Sequence, residues 1–229
     1  MEVVEFLDLG LIDYEKAWHL QEEAVAEIAS GGAERVLLLE HPHVITLGRR
    51  ARAENLIAER GPDGQPVVVH RINRGGDITY HGPGQLVGYP HLNLDRRGRD
   101  LHGYLRGLEE CLIRTAATLG ARGYRRPGLT GVWTDEGKLA SIGIGVRRWV
   151  TLHGFALNVS TDLRYFGLIH PCGIPDCPMT SLELLTGDPV PMDSVKSIFK
   201  EAFEAVFGSD LGERPASGSS AEEEVHERR

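Results

Sequence analysis

The chain has 229 residues, 41% of them hydrophobic and 25% charged, which is the make-up of an ordinary globular protein with one sizeable core in one domain. A formal charge of −8 argues against a nucleic-acid binder that works by neutralising phosphates. No run of about eighteen apolar residues occurs, and Met1-Glu2-Val3-Val4-Glu5 is no basic-then-apolar leader, so membrane spanning and secretion are disfavoured. Three cysteines, an odd and small number, do not suggest a disulfide framework and place the chain in a reducing, cytosolic setting.

Residues 3–9 read as a first strand. Tyr14, Ala17, Trp18, Gln21, Ala24, Val25 and Ile28 then recur at three- and four-residue spacing, a helix with Asp13 as N-cap and Gly31-Gly32 as its stop. Arg35–Glu40 reads as a buried strand and Val44–Leu47 as another, followed by the basic run Arg49-Arg50-Ala51-Arg52. A turn at 61–66 leads into the apolar strand Val67–Val69.

From Arg74 to Gly88 the chain holds five glycines, a density that lets backbone approach a ligand closely. The spacing matches neither phosphate-loop fingerprint. A loop-lined pocket for an elongated ligand is one reading; a glycine-marked pair of strands around Ile78-Thr79-Tyr80 and Leu86–Tyr89 is the other. Asp100 is expected to cap a helix whose apolar face includes Leu108, Cys111 and Leu112 and which ends at Gly120. Strands are expected over 129–134, 139–146 and 150–159, with His153 read as a core or cross-strand histidine. Asp193 is expected to open a last helix carrying Val195, Phe199 and Phe203. The Ser-, Gly- and Glu-rich residues 209–229 lack the apolar side chains that would repay ordering, and read as a disordered acidic tail after a domain spanning 1–208.

Two places carry chemistry. Of 25 basic residues only Lys16, Lys138, Lys196 and Lys200 are lysine, and a lysine kept among arginines marks a site where an amine can release its proton. Equally, Thr134-Asp135-Glu136-Gly137-Lys138 looks like a hairpin with a solvated lysine. Cys172, between Pro171 and Gly173, must sit in a tight loop, where function concentrates; the plainer reading is a small buried hydrophobe. His170, Cys172 and Cys177 approach zinc-ligand spacing, but a closed zinc site wants a fourth N or S ligand that the chain does not offer nearby.

Three blocks, Arg74-Gly75-Gly76-Asp77-Ile78-Thr79-Tyr80-His81-Gly82-Pro83-Gly84-Gln85, Lys138 with Ala140-Ser141-Ile142-Gly143, and His170-Pro171-Cys172-Gly173-Ile174, together resemble the octanoyltransferases of lipoate biosynthesis. The resemblance runs from about residue 5 to 207. It implies an α/β (α+β) fold like that of the biotin and lipoate ligase catalytic domains, a mixed β-sheet with packed helices in a single domain. It also implies a reaction: an octanoyl group leaves acyl carrier protein, rests on Cys172 as a thioester, and passes to a lysine of the lipoyl domains of 2-oxoacid dehydrogenase complexes or of glycine cleavage H protein. Lys138 would be the acid/base partner. Arg74, Gly75, Gly76, Asp77, Ile78, Thr79, Tyr80, His81, Ser141, Ile142, Gly143, Gly154, Phe155 and Ala156 would line the acyl pocket. No cofactor or metal, no nucleic acid, no membrane and a monomeric state are expected. An ammonium about 4 Å from a thiolate interacts by about 4 kcal/mol at an effective dielectric near 20, so such a pair can activate itself.

The alternatives are an ATP-dependent lipoate or biotin ligase of the same fold, which needs no cysteine, a non-catalytic acyl-binding module, and a thioesterase differing only in acceptor. The clusters Arg49-Arg50-Arg52, Arg96-Arg97-Arg99 and Arg147-Arg148 are candidate docking sites for acidic carriers.

Overall fold

The computed structural model describes residues 4–208. In chain order it contains β1 (Glu5–Leu11), α1 (Tyr14–Ala29), β2 (Arg35–Glu40), β3 (Val44–Leu47), β4 (Val68–Arg71), β5 (Ile78–His81), β6 (Gln85–His91), α2 (Leu101–Thr118), β7 (Tyr124–Arg126), β8 (Leu129–Trp133), β9 (Lys138–Arg147), β10 (Val150–Asn158), α3 (Leu182–Thr186) and α4 (Met192–Phe207). Seven strands form one mixed sheet in the order β1-β2-β6-β10-β9-β8-β7, and three form a smaller one, β4-β3-β5. Only β1–β2 and β3–β4 are parallel; the other pairings are antiparallel.

The unbroken apolar run of β2 follows from burial on both faces. Val36 and Leu38 point into the core shared with α2 and α4, while Leu37 and Leu39 point to the side covered by α1, as the two-residue period of a strand requires. β10 is buried along its whole length for the same reason: Phe155 and Leu157 join the first core, Val150, Leu152 and Ala156 the second. Each fully buried large aliphatic or aromatic side chain contributes about 1.5–3 kcal/mol.

Helix limits follow local chemistry. Asp100 accepts a hydrogen bond from the Gly103 N–H at 2.8 Å and starts α2, and Gly120, at φ 85°, lets the chain leave it. Asp13 precedes α1, but its side chain makes no capping bond. Asp193 does not open the last helix: Pro191 precedes Met192, and Asp193 lies in the first turn, where its charge still complements the helix dipole. The first strand runs to Leu11 instead of residue 9 because pairing with β2 continues through a bulge after Asp8. Cys111 is core, and burial pushes its thiol up. The expected tail, 209–229, lies outside the described residues. Among those residues no helix is long and apolar enough to cross a membrane.

The smaller sheet buries Ile45, Leu47, Ile78 and Tyr80 against Tyr165, Phe166, Leu168 and Ile169. It meets the large sheet where the Gly75 N–H donates to the Ile144 carbonyl at 2.7 Å. A side chain on Gly143 would put its Cβ 3.0 Å from the Gly75 oxygen, and one on Gly154 would lie 2.1 Å from the Gly88 oxygen. Glycine at 143 and 154 therefore serves close contact of backbone with backbone, a use that a reading in terms of ligand approach alone does not contain.

Candidate active site

A cavity of about 590 Å³ opens between the two sheets, within the range of small-molecule sites. Lys138 and Cys172 both line it, and the Lys138 ammonium donates to Cys172 Sγ at 3.0 Å.

Lys138 is the first residue of β9 and only 2% exposed, so it is not the solvated lysine of a hairpin. The turn is a hairpin, closed by Thr134 N–H to Gly137 O at 2.8 Å, but the cysteine loop packs over it. The Lys138 N–H donates to Pro178 O at 2.8 Å, and Thr180 N–H to Lys138 O at 3.1 Å. Room for the lysine stem comes from Gly131, where a Cβ would fall 2.9 Å from Lys138 Cε and 2.4 Å from the Ala140 oxygen. Gly131 is held in turn by Glu109 of α2, which accepts its N–H at 3.1 Å and is itself paired with Arg106 and Arg125. The Lys138 ammonium also lies 5.2 Å from the centroid of the Trp133 ring.

Cys172 is half-buried in the turn Pro171–Gly173 and takes φ 60°, ψ 19°, a left-handed conformation that non-glycine residues adopt at a cost of about 1–3 kcal/mol. Neighbouring contacts over-determine it. His170 N–H donates to Asn55 O at 2.8 Å and Gly173 N–H to His170 O at 2.9 Å. A Cβ at Gly173 would stand 2.7 Å from Asp77 Oδ2, which accepts from Asn55 Nδ2 at 2.8 Å. Cys177 lies in the same loop, and burial pushes its thiol up against the opposing charge of Lys138. No group of three or more His, Cys, Asp or Glu side chains that could hold a metal occurs among the described residues.

Of the expected pocket residues, Arg74 to Thr79, His81, Ser141 to Gly143 and Gly154 to Ala156 line the cavity; Tyr80 does not. Strand alternation separates them: on β5, Tyr80 turns into the core of the smaller sheet, where its hydroxyl meets His43 Nδ1 at 2.7 Å, while Thr79 and His81 face the cavity. Arg74, 7% exposed, donates to Thr46 and to the Gly75 carbonyl, all neutral acceptors. Burial draws its guanidinium down and the nearby Cys172 opposes that. Asn55, Trp133, Tyr14, Tyr89 and His153 also line the cavity. Sequence reading missed the first four and read His153 as a core or cross-strand histidine; it is buried in β10 and lines the cavity as well. His153 stacks on Trp18, its Nε2 meets Asn73 Oδ1 at 2.8 Å, and it takes a positive φ of 58°.

Residues 13–204 match the lipoyl protein ligase A/B catalytic domain. The chain is 60% identical over 195 residues to an octanoyltransferase of Syntrophotalea carbinolica, covering 85% of this chain and 90% of that one. Against an octanoyltransferase of Geobacter sulfurreducens it is 50% identical over 226 residues, covering 97% and 94%. The chain belongs to the octanoyltransferase family. It is thus an acyltransferase, and its fold is that of the lipoate and biotin ligases. Protein Ta0514 of T. acidophilum, a putative lipoate protein ligase, superposes with TM-score 0.68 at 16% identity, covering 91% of this chain and 86% of that one. Lipoate-protein ligase A bound with ATP gives 0.67 at 15% identity, covering the same shares. At such identities the likeness speaks for the octanoyltransferase fold and not for its chemistry.

Proposed function

We propose that this octanoyltransferase moves an octanoyl group from the thioester of acyl carrier protein to a lysine of a lipoyl domain through an acyl-enzyme on Cys172. The observation that supports this most directly is the 3.0 Å contact from Lys138 Nζ to Cys172 Sγ inside the cavity. The contact sets a proton carrier directly beside the sulfur that would attack. Attack on the carrier thioester forms the Cys172 S–acyl bond and breaks the bond to the pantetheine sulfur, which takes a proton from Lys138. The neutral lysine then accepts a proton from the incoming amine as the amine attacks, and Cys172 leaves as thiolate.

The acceptors in this reading are lipoyl domains, including that of glycine cleavage H protein, and the enzyme works in the cytoplasm as a monomer, without cofactor or metal. Leu129, Ile142, Ile144 and Phe155 give the cavity apolar surface suited to an alkyl chain. Intact-mass measurement after mixing with octanoyl acyl carrier protein tests the proposal. One added octanoyl group that later appears on a lipoyl domain is the expected result; release of free octanoate would make the chain a thioesterase, and no mass gain would remove the acyl-enzyme.

A further inference from the structure

His81 faces the cavity from β5, the strand that packs against the Pro171–Gly173 turn. A chain of hydrogen bonds behind it fixes which ring nitrogen carries its proton. The Thr180 carbonyl can only accept, so Asn158 must turn its amide nitrogen to it, at 2.9 Å. Asn158 Oδ1 is then left to accept from Gln85 Nε2 at 2.9 Å, and that nitrogen also donates to Tyr80 O at 3.3 Å. Gln85 therefore presents its oxygen to His81 Nδ1 at 2.8 Å, and Nδ1 must carry the hydrogen. This leaves Nε2 as a bare lone pair with no hydrogen-bond partner among the described residues, on a ring that lines the cavity. The relay starts at Thr180, whose N–H holds the Lys138 carbonyl, so the orientation of His81 and the position of Lys138 depend on one loop.

Burial, with His41, Arg74 and His153 nearby, draws the His81 imidazolium down to about 3, so the ring stays neutral and does not add a positive charge beside Lys138 and Arg74. A base that weak does not take a proton from an amine at neutral pH. It can hold an N–H.

Resting on the acyl-enzyme reading above, we infer that His81 Nε2 accepts a hydrogen bond from the attacking amine of the second substrate and aims its lone pair at the Cys172 thioester. The octanoyl chain and its thioester carry no N–H, whereas the amine has two once it has been neutralised. In the transfer step one N–H stays bonded to His81 and the other proton goes to Lys138, while the N–C bond forms and the S–C bond of Cys172 breaks. His81 then belongs to the second half-reaction only.

The test separates the halves. His81→Phe keeps a ring and removes the acceptor; His81→Gln restores an acceptor oxygen near the place of Nε2. Acylation by octanoyl acyl carrier protein and single-turnover transfer from the preloaded enzyme to an apo lipoyl domain are each followed by mass. His81→Phe is expected to slow transfer by about 50-fold more than it slows acylation, the scale of one unpaired donor in a dry site, with His81→Gln recovering about tenfold of that difference. The pH profile of transfer should keep its shape and lose only height. Transfer within about threefold of wild type, equal loss in both halves, or loss confined to acylation, as if Nε2 served the pantetheine amides, would each overturn the inference. Nitrogen NMR of the wild-type histidines gives a check free of any folding defect: His81 should show a protonated Nδ1 and bare Nε2 from about pH 6 to pH 9, and the opposite tautomer would overturn it. If wild type never forms the acyl-enzyme, the proposed function has failed instead.

Discussion

The backbone of Thr180 is hydrogen-bonded to the backbone of Lys138, N–H to carbonyl at 3.1 Å. With the Lys138 N–H returned to Pro178 at 2.8 Å, the loop that carries Cys172 and the strand that carries Lys138 form a short parallel ladder. The geometry of the pair is therefore held by main chain, and single side-chain changes at 138 or 172 should leave it in place.

That allows the roles of the two residues to be separated. Cys172→Ser should bind donor yet form almost no acyl-enzyme, because a hydroxyl is far harder to ionise than a thiol. Lys138→Arg keeps the positive charge but cannot release a proton. Its acylation should fall less than its transfer to the acceptor amine, with turnover reduced by about 100-fold or more. Single-turnover mass measurements on each half-reaction check this, and near wild-type turnover in either variant would mean that the two are not the catalytic pair.

No dependence on ATP or a divalent cation is expected, because a thioester is already activated. Full transfer in excess EDTA without nucleotide is the predicted result. Activity that fails in EDTA and returns with magnesium or zinc would contradict it.

Gly131→Ala should damage the site from behind. Its Cβ would meet the Ala140 oxygen at 2.4 Å and Lys138 Cε at 2.9 Å, at a φ of 122° that alanine resists. A stability loss of about 2–3 kcal/mol and at least a tenfold slower acylation are expected. Gly187→Ala, also at positive φ but with nothing within 4 Å, is the control: it should lose some stability and no activity. Urea unfolding and acylation rates on both variants compare strain alone with strain against Lys138.

Acid should unfold the protein through its buried histidines. Burial draws His41 and His91 down to about 4, and His81 and His153 to about 3, against an ordinary value of 6.5. As the pH falls below 6.5 the unfolded chain takes up these protons before the folded one does. The stability they contribute is thus complete above about pH 6.5 and is lost on the way down to about pH 4 for His41 and His91 and about pH 3 for His81 and His153, at about 1.4 kcal/mol per pH unit for each group. Urea midpoints should drop steeply between about pH 7 and pH 5; a flat profile would show that these rings are protonated in the folded protein.

The three arginine clusters should behave differently. Arg97 is buried against Glu34 at 2.6 Å, Arg99 pairs with Asp95 at 2.6 Å and Arg147 with Glu22 at 3.4 Å. Arg50 and Arg52 instead border the cavity on an exposed loop, and among the described residues the Arg52 ion pair is an exposed contact of 3.7 Å with Glu54. Arg97→Ala should cost about 3–5 kcal/mol by leaving Glu34 charged and buried. Arg50→Glu with Arg52→Glu should leave the melting temperature unchanged, raise KM for acyl carrier protein and flatten its dependence on salt. Unchanged kinetics at low salt would remove this rim as a docking surface.

Much was legible in the residues alone because it depends on local rules. The periodicity of α1 and α2, the apolar run of β2, the Asp100 cap and the hairpin before Lys138 each follow from neighbours within a few positions. The Pro–Cys–Gly turn and the isolated lysine likewise announced themselves by residue type, and the three blocks pointed to the family. Other features depended on what lies across the fold. By residue type Lys138 reads equally as a solvated turn residue and Cys172 equally as core; the loop at 178–180 that packs over the lysine, and its reach to a sulfur 34 positions away, belong to the fold. Tyr80 and His81 are neighbours in one motif, yet the pairing of β5 with β3 sends one ring into a core and the other into the cavity. Asn55 carries no motif and matters only because Asp77 and His170 come to it. The tautomer of His81 is set by Thr180 through Gln85 and Asn158, hydrogen bonds whose partners meet only after the two sheets have closed on each other.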